Sequence, residues 1–337
     1  MPATQRSAER VARILDDYNR GSGQPVNKQK SVIFFSTNCP EETRRMVYDV
    51  LQIETEALGE KYLGLLTAAG AEEDGTFDYV AGRIWGFVNG WGENTLSCAG
   101  REVLIKANAQ AVPTYPMSCV KLLNKVCDKI RTYISNYWWG SAVDSHKTHW
   151  QKWSKLTLPK AQGRMGFHDL QLFNKAMLDK QGWRLMTRPK ALYTWVIKGK
   201  YYPHGNFMSA KQKRNNCETW KAMMHGRDVL KRGMIRRVGP GNSIDIWEDN
   251  WIQGIGVLKP RVHLEEVTIR RVYDLFIPGT RVWNVPRVNE SFILMDAEEV
   301  LKIKPVSSWD EDLWAWAYEK HGCYSVRSAY RVLKEDQ

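Results

Sequence analysis

No stretch of this 337-residue chain approaches the roughly 18 consecutive apolar residues of a membrane span, although 43% of its residues are hydrophobic. The opening Met-Pro-Ala-Thr-Gln-Arg lacks the apolar core of a secretory signal. Six cysteines (Cys39, Cys98, Cys119, Cys127, Cys217, Cys323) are scattered with no CxxC, which argues against a disulfide framework. No P-loop, no GxGxxG opening a helix, no HExxH and no nucleophile elbow occurs. Internal repeats and low-complexity tracts are also absent. These absences predict an intracellular, reduced chain with no membrane partner, the nucleus being the expected compartment and an organelle left open.

Acidic residues are scarce in one place. Residues 101–240 hold 27 Lys/Arg against 7 Asp/Glu, a net charge of +20 within a total of +12. Residues 1–80 and 241–337 each carry −4. A positive field confined to the middle of a chain is the footprint expected of a surface for a polyanion. Within it, residues 137–186 hold five tryptophans (Trp138, Trp139, Trp150, Trp153, Trp183). Their flat faces suit bases or sugars, and they suit gaps between helices equally well.

The periodicity predicts an α+β chain that is predominantly helical. Ser7 reads as the cap of a helix closed by Gly21-Ser22-Gly23, Ser31–Ser36 as a buried strand, and Pro40-Glu41-Glu42 as the start of a helix to about Ile53. Tyr62–Leu66 reads as another short strand. Helices follow from Phe77, along Arg101–Val112, as one long helix over Met117–Trp138, over Leu172–Met186 and from Thr219 to about Gly233. Ile235–Val238, a Gly-Pro-Gly-Asn turn and Ser243–Trp247 read as a β-hairpin. Beyond Pro260 a looser C-terminal unit is expected, ending in a strand that turns into a helix at Tyr324–Tyr330.

Candidate catalytic groups are weak. Asp16-Asp17 interrupt a helical stripe, whereas metal-holding polymerase aspartates sit at a tight turn. Cys119, Cys127, His146 and His149 miss the usual zinc spacings. Glu248-Asp249 lack the further carboxylates of a two-metal site. Binding is left. Lys106, Lys121, Lys125, Lys129 and Arg131 lie on predicted helices. Lys147, Lys152, Lys155, Lys160 and Arg164 occupy a connecting segment, with Lys180, Arg184 and Arg188 on the next helix. Such cations contact phosphates without reading sequence, and Trp150 and Trp153 lie among them.

A series of motifs then runs in order: Lys61-Tyr-Leu-Gly64, Ala99-Gly-Arg-Glu-Val-Leu-Ile-Lys106, Ala111-Val-Pro-Thr-Tyr-Pro116, Trp138-Trp-Gly140, Phe173-Asn-Lys-Ala-Met177, Lys180-Gln-Gly-Trp-Arg184, Lys198-Gly-Lys-Tyr-Tyr-Pro203 and Trp247-Glu-Asp-Asn-Trp251. Together they closely resemble the C-terminal region of plant non-LTR (LINE-type) retrotransposon reverse transcriptases, over nearly the whole chain. The resemblance implies the end of a polymerase palm at 1–75, with a primer-grip-like strand at Lys61, Tyr62 and Gly64. It implies a basic helical thumb-like region and extension at 76–240, which includes Arg101. At 241–337 it implies hairpin, linker and the opening of a zinc-binding domain. The catalytic Tyr/Phe-x-Asp-Asp turn would precede Met1 and the zinc ligands would follow Gln337, so neither catalysis nor a metal or other cofactor is expected. The expected function is that of a non-catalytic fragment that binds RNA, DNA or a hybrid without sequence preference. An inert or protein-contacting remnant is the alternative, and an exposed palm strand edge would favour self-association. Leu66, Leu123 and Arg164 depart from the family pattern. Arg164 replaces a turn glycine, a position where φ > 0 would strain it.

Overall fold

The computed structural model describes residues 2–36, 38–56, 77–90, 96–140, 147–213, 216–252, 258–264, 267–306 and 311–336, and the backbone of 61–62 and 65–66. The chain divides into two compact units, Met1–Thr76 and Phe77–Gln337.

In the first unit, α1 (Gln5–Ser22) is capped by Thr4, whose hydroxyl accepts from the Ser7 amide; Ser7 itself is already helical. Gly23 ends the helix in the left-handed conformation. Asp16 and Asp17 are exposed along α1. α2 (Glu41–Leu51) begins after Pro40 with Glu41 and Glu42 in its first turn, where carboxylates complement the helix dipole. Ser31–Ser36 does not become a strand: it makes one bridge, Ile33 to Glu56. Its apolar residues are used differently, Phe35 packing with Ala8 and Val47 while Phe34 stays 59% exposed. Arg44 holds Glu56 through both carboxylate oxygens (2.9 and 3.1 Å) and Tyr48 donates to the same group. The single strand expected at Tyr62–Leu66 is a minimal antiparallel ribbon of β1 (Lys61–Tyr62) and β2 (Leu65–Leu66).

The second unit opens with α3 (Asp78–Gly90), which buries Val80, Ala81, Ile84 and Val88. α4 (Cys98–Leu104), capped by Ser97, passes into a π-turn over Ile105–Ala109. The long helix expected over Met117–Trp138 is two, α5 (Thr114–Cys119) and α6 (Asn124–Trp139). The break is organised by Asn174, whose Oδ1 accepts from the Leu122 amide (2.9 Å). Its Nδ2 donates to the carbonyls of Met117 (2.8 Å) and Val120 (3.0 Å). A side chain 52 residues away thus replaces the helical hydrogen bonds that the apolar spacing alone would favour.

After the short α7 (Trp153–Leu156), α8 (Leu170–Thr187) forms the spine of the unit, packed against α5 and α6. α9 (Leu192–Tyr201) and α10 (Glu218–Gly233) follow. α10 lies so close to α8 that a Cβ at Gly226 would stand 2.6 Å from the Asp179 backbone nitrogen, a separation that only glycine permits.

The hairpin expected over Ile235–Trp247 does not form. β3 (Met234–Arg237) pairs antiparallel with β4 (Leu313–Trp316), in the register Met234 to Trp316 and Arg237 to Leu313. The intervening turn is drawn elsewhere by Asp312. Its Oδ1 accepts from the amides of Gly239 (2.9 Å) and Gly241 (2.8 Å), and its Oδ2 from the amide (3.0 Å) and hydroxyl (2.8 Å) of Ser243. Ser243–Trp247 consequently faces another segment, Asp245 bridging Arg271. Between β3 and β4 lie α11 (Val285–Ser291) and α12 (Leu294–Lys302). The looseness expected beyond Pro260 gives way to a core in which Val272, Leu275, Val288 and Val300 are fully buried with Ile244, Ile246 and Trp251. α13 (Val326–Glu335) packs on α8. Tyr324, just before it, is buried and donates to the Ala176 carbonyl (2.7 Å). The helical α+β class is thus the observed one; what differs is which partner each short segment finds.

Candidate nucleic-acid interface

Between α6 and α8 the described residues form only the short α7 and a 3-10 turn at Lys160–Gln162, so the basic residues are placed largely by aromatic packing and a few hydrogen bonds. Phe167, fully buried, is the anchor. Trp153 lies flat on it (5.1 Å, 3°) and Trp138 meets it edge-on at 5.2 Å. Lys106 sits 5.7 Å over the same ring, donating to the Met165 carbonyl (2.6 Å) and to Glu102 (2.8 Å). Lys160 reaches the same Glu102 oxygen at 2.6 Å. Hydrogen bonds from Lys106 and Lys160 hold the Glu102 carboxyl below its ordinary pKa against a small opposing effect of burial. The acidic residue thus ties the loop to α4, and both lysines are committed to it.

Arg164 donates to Gln151 (3.0 Å). The feared strain is absent, since Gly163 and Gly166 take the positive-φ positions (+71° and +67°) on either side of it. Arg101 closes α6, donating to the Trp138 carbonyl at 3.1 Å, where a cation complements the helix C-terminus. The Lys147 ammonium comes to the same end: a Cβ at Gly140 would lie 3.3 Å from it.

Three predicted residues stand clear of this scaffold. Trp150 is 79% exposed. Lys152 and Lys155, at the start and within α7, are exposed and have no ion-pair partner among the described residues. Of the five tryptophans only Trp150 is so presented. Trp139 stacks on His149 at 6.1 Å and Trp183 on Tyr324 at 6.0 Å.

Lys180 and Arg184 form a second set, toward the other end of α8. Leu170 borders the hollow that Lys152 and Trp153 line, and Arg184 lies about 21 Å further along the helix axis at 1.5 Å per residue. Arg184 donates to Gln181 (3.0 Å) and rests 4.8 Å over the Tyr193 ring, whereas Lys180 is exposed. Both border a cleft of about 730 Å³ that Arg188, Arg237, His321 and Trp314 also line. Arg237, His321 and Trp314 had no signal in local sequence, because the β3–β4 pairing brings them there. The α8 side of the cleft did carry a signal: from Lys180 to Cys217 the chain has nine Lys/Arg and no Asp or Glu. The primer-grip-like positions are not placed in this way. The side chains of Lys61 and Tyr62, and all of Gly64, lie outside the described residues.

The other chemistry considered from sequence is used structurally. Asp249 accepts from the Asp245 amide, and Asp245 accepts from the amides of Trp247 and Glu248, a self-contained turn. Cys127 is buried, which pushes its thiol up to about 12, while His146 lies outside the described residues. Among the described residues no helix is long and apolar enough to cross a membrane.

No family model matches the chain. It is 30% identical over 276 residues to an Arabidopsis thaliana protein named "Putative ribonuclease H protein At1g65750", aligning 78% of the present chain with 43% of that protein. It is 34% identical over 151 residues to the Arabidopsis thaliana "Uncharacterized mitochondrial protein AtMg00310", aligning 44% of the present chain with 98% of that one. The chain therefore spans less than half of the first relative and nearly all of the second.

Proposed function

The chain belongs to the family of that mitochondrial Arabidopsis protein, and from this premise we propose that it is a retroelement-derived protein that binds nucleic acid without sequence preference and without catalysing polymerisation. The observation that carries this reading is the α7 face. Lys152, Lys155 and Trp150 are exposed beside a scaffold in which Glu102 is already neutralised by two other lysines. Unpaired surface cations next to an exposed indole suit phosphates and a sugar or base edge. The likeness to a protein named for ribonuclease H and the motif resemblance to reverse transcriptases support the retroelement origin. In that frame residues 76–240, α3 through β3, correspond to a thumb and its extension, and Tyr324–Tyr330 to the opening of a zinc-binding domain. Asp16 and Asp17, exposed along α1, do not sit at the tight turn that metal-holding aspartates need.

The test is a salt titration of binding to an RNA–DNA hybrid, with primer extension run alongside. Binding that weakens steeply with salt and no extension product are expected; salt-insensitive affinity would refute the phosphate-contact reading. A second reading, contact with another protein, is favoured by α9, which exposes Leu192 (75%), Trp195 (63%) and Val196 (59%) on one face. Hybrid affinity that survives Lys152→Glu/Lys155→Glu unchanged would favour it.

A further inference from the structure

The cleft between α8 and the β3–β4 ribbon differs in kind from the α7 face. It is concave, about 730 Å³ in volume, and no carboxylate is among the described residues lining it. Lys180 and Arg188 reach it from α8, both exposed and without an ion-pair partner among the described residues. Arg237 comes from β3 and gives one N–H to the Lys320 carbonyl (3.3 Å). Cations gathered without a counter-charge repel one another, and an anion in the cleft relieves that repulsion.

The walls between them are aromatic. Trp183 is held by its stack on Tyr324, and Trp314 by the Arg236 guanidinium 4.4 Å from its ring. Inorganic phosphate has no use for indole walls, whereas a base does. A duplex keeps its bases inside the stack, so a recess of this size suits unpaired nucleotides.

We propose that this cleft holds unpaired nucleotides of a single-stranded nucleic acid, with phosphates at Lys180, Arg188 and Arg237 and a base against Trp183 and Trp314. The proposal rests on the nucleic-acid reading above and adds to it a strand-selective site separate from α7.

Cys323 makes it testable, because its exposed thiol lines the cleft. Maleimide labelling of the full chain, followed by peptide mass spectrometry, would report on it, with exposed Cys98 and Cys217 as references. The probes are a short oligothymidylate, a blunt duplex and inorganic phosphate. Oligothymidylate at ten times its Kd is expected to slow Cys323 labelling about tenfold. The references, the duplex and the phosphate arms should show no such change. Lys180→Glu/Arg188→Glu should abolish the protection of Cys323 by oligothymidylate. Should that variant misfold, the wild-type pattern alone decides. If Cys323 stays unprotected by the single strand while duplex binding remains salt-dependent, the cleft proposal falls and the α7 reading stands. Equal protection by phosphate reduces the cleft to a simple anion site and overturns the proposal. Absence of all binding removes both.

Discussion

Asp179 is a costly residue for the second unit to bury. It is fully buried beside the α8–α10 crossing, and its carboxyl oxygens make no hydrogen bond of ordinary geometry. The neighbouring Tyr324 hydroxyl donates to Ala176 instead. Burial raises its pKa well above the usual aspartate value. A carboxyl raised on folding leaves stability whole below the unfolded pKa, and stability then declines as pH climbs toward the folded value. Asp179→Asn should remove that decline and gain about 1–3 kcal/mol on the alkaline side, measured as Tm across a pH series. A variant that keeps the wild-type slope would show that another group titrates. Asp312 works in the opposite direction. Burial alone would raise it, but donors from Gly241, Ser243 and Gly239 outweigh this and hold it low. Its contribution is full above the ordinary aspartate range and disappears as acid protonates it. Asp312→Ala strands three backbone amides and should cost about 2–4 kcal/mol in urea unfolding.

At the scale of elements, periodicity was enough wherever a helix has one apolar face and ordinary ends. α2, α3 and α10 were legible in this way, whereas α8, which is packed on several sides, was placed between Leu172 and the stop at Pro189. The α5–α6 break was not, because the residue responsible, Asn174, lies on another helix and apolar spacing says nothing of it. The false hairpin has the same origin. Gly-Pro-Gly-Asn is sound turn chemistry, but its amides are claimed by a carboxylate about seventy residues later, and β3 finds β4 instead. Asn174→Ala should cost about 2–4 kcal/mol, since it frees three buried or half-buried backbone groups. Backbone amide exchange should then quicken at 120–123 before elsewhere. The site was legible in part. The run 147–164 could be read as basic, but which of its cations are committed inward depends on Glu102 and Phe167. On α7, Lys152→Glu/Lys155→Glu should weaken hybrid binding at low salt and lower the salt slope by about 2.

For the whole molecule, the asymmetry of charge is the feature that survives from sequence to structure. Net +20 over residues 101–240 contributes to two basic surfaces on one helical unit, one at α7 with exposed side chains and one in the cleft beside α8. Bound chain should therefore protect hybrid and single strand through different residues, which charge reversal at α7 and at the cleft separates by competition between the two nucleic acids. The chain spans 98% of one relative and 43% of the other, so it aligns with proteins of very different length.

The Tyr324–Ala176 hydrogen bond has a consequence in time as well as in space. It joins residues 148 apart, and the Asp169 amide reaches Tyr330 across 161. α8, the spine of the unit, is thus completed only by residues made long after it. A nascent chain must hold this helix with one face uncovered until α13 emerges, and loops of that length close slowly. During synthesis the unfinished core offers an apolar surface to chaperones and to other copies, so translation rate should govern the soluble yield of this unit.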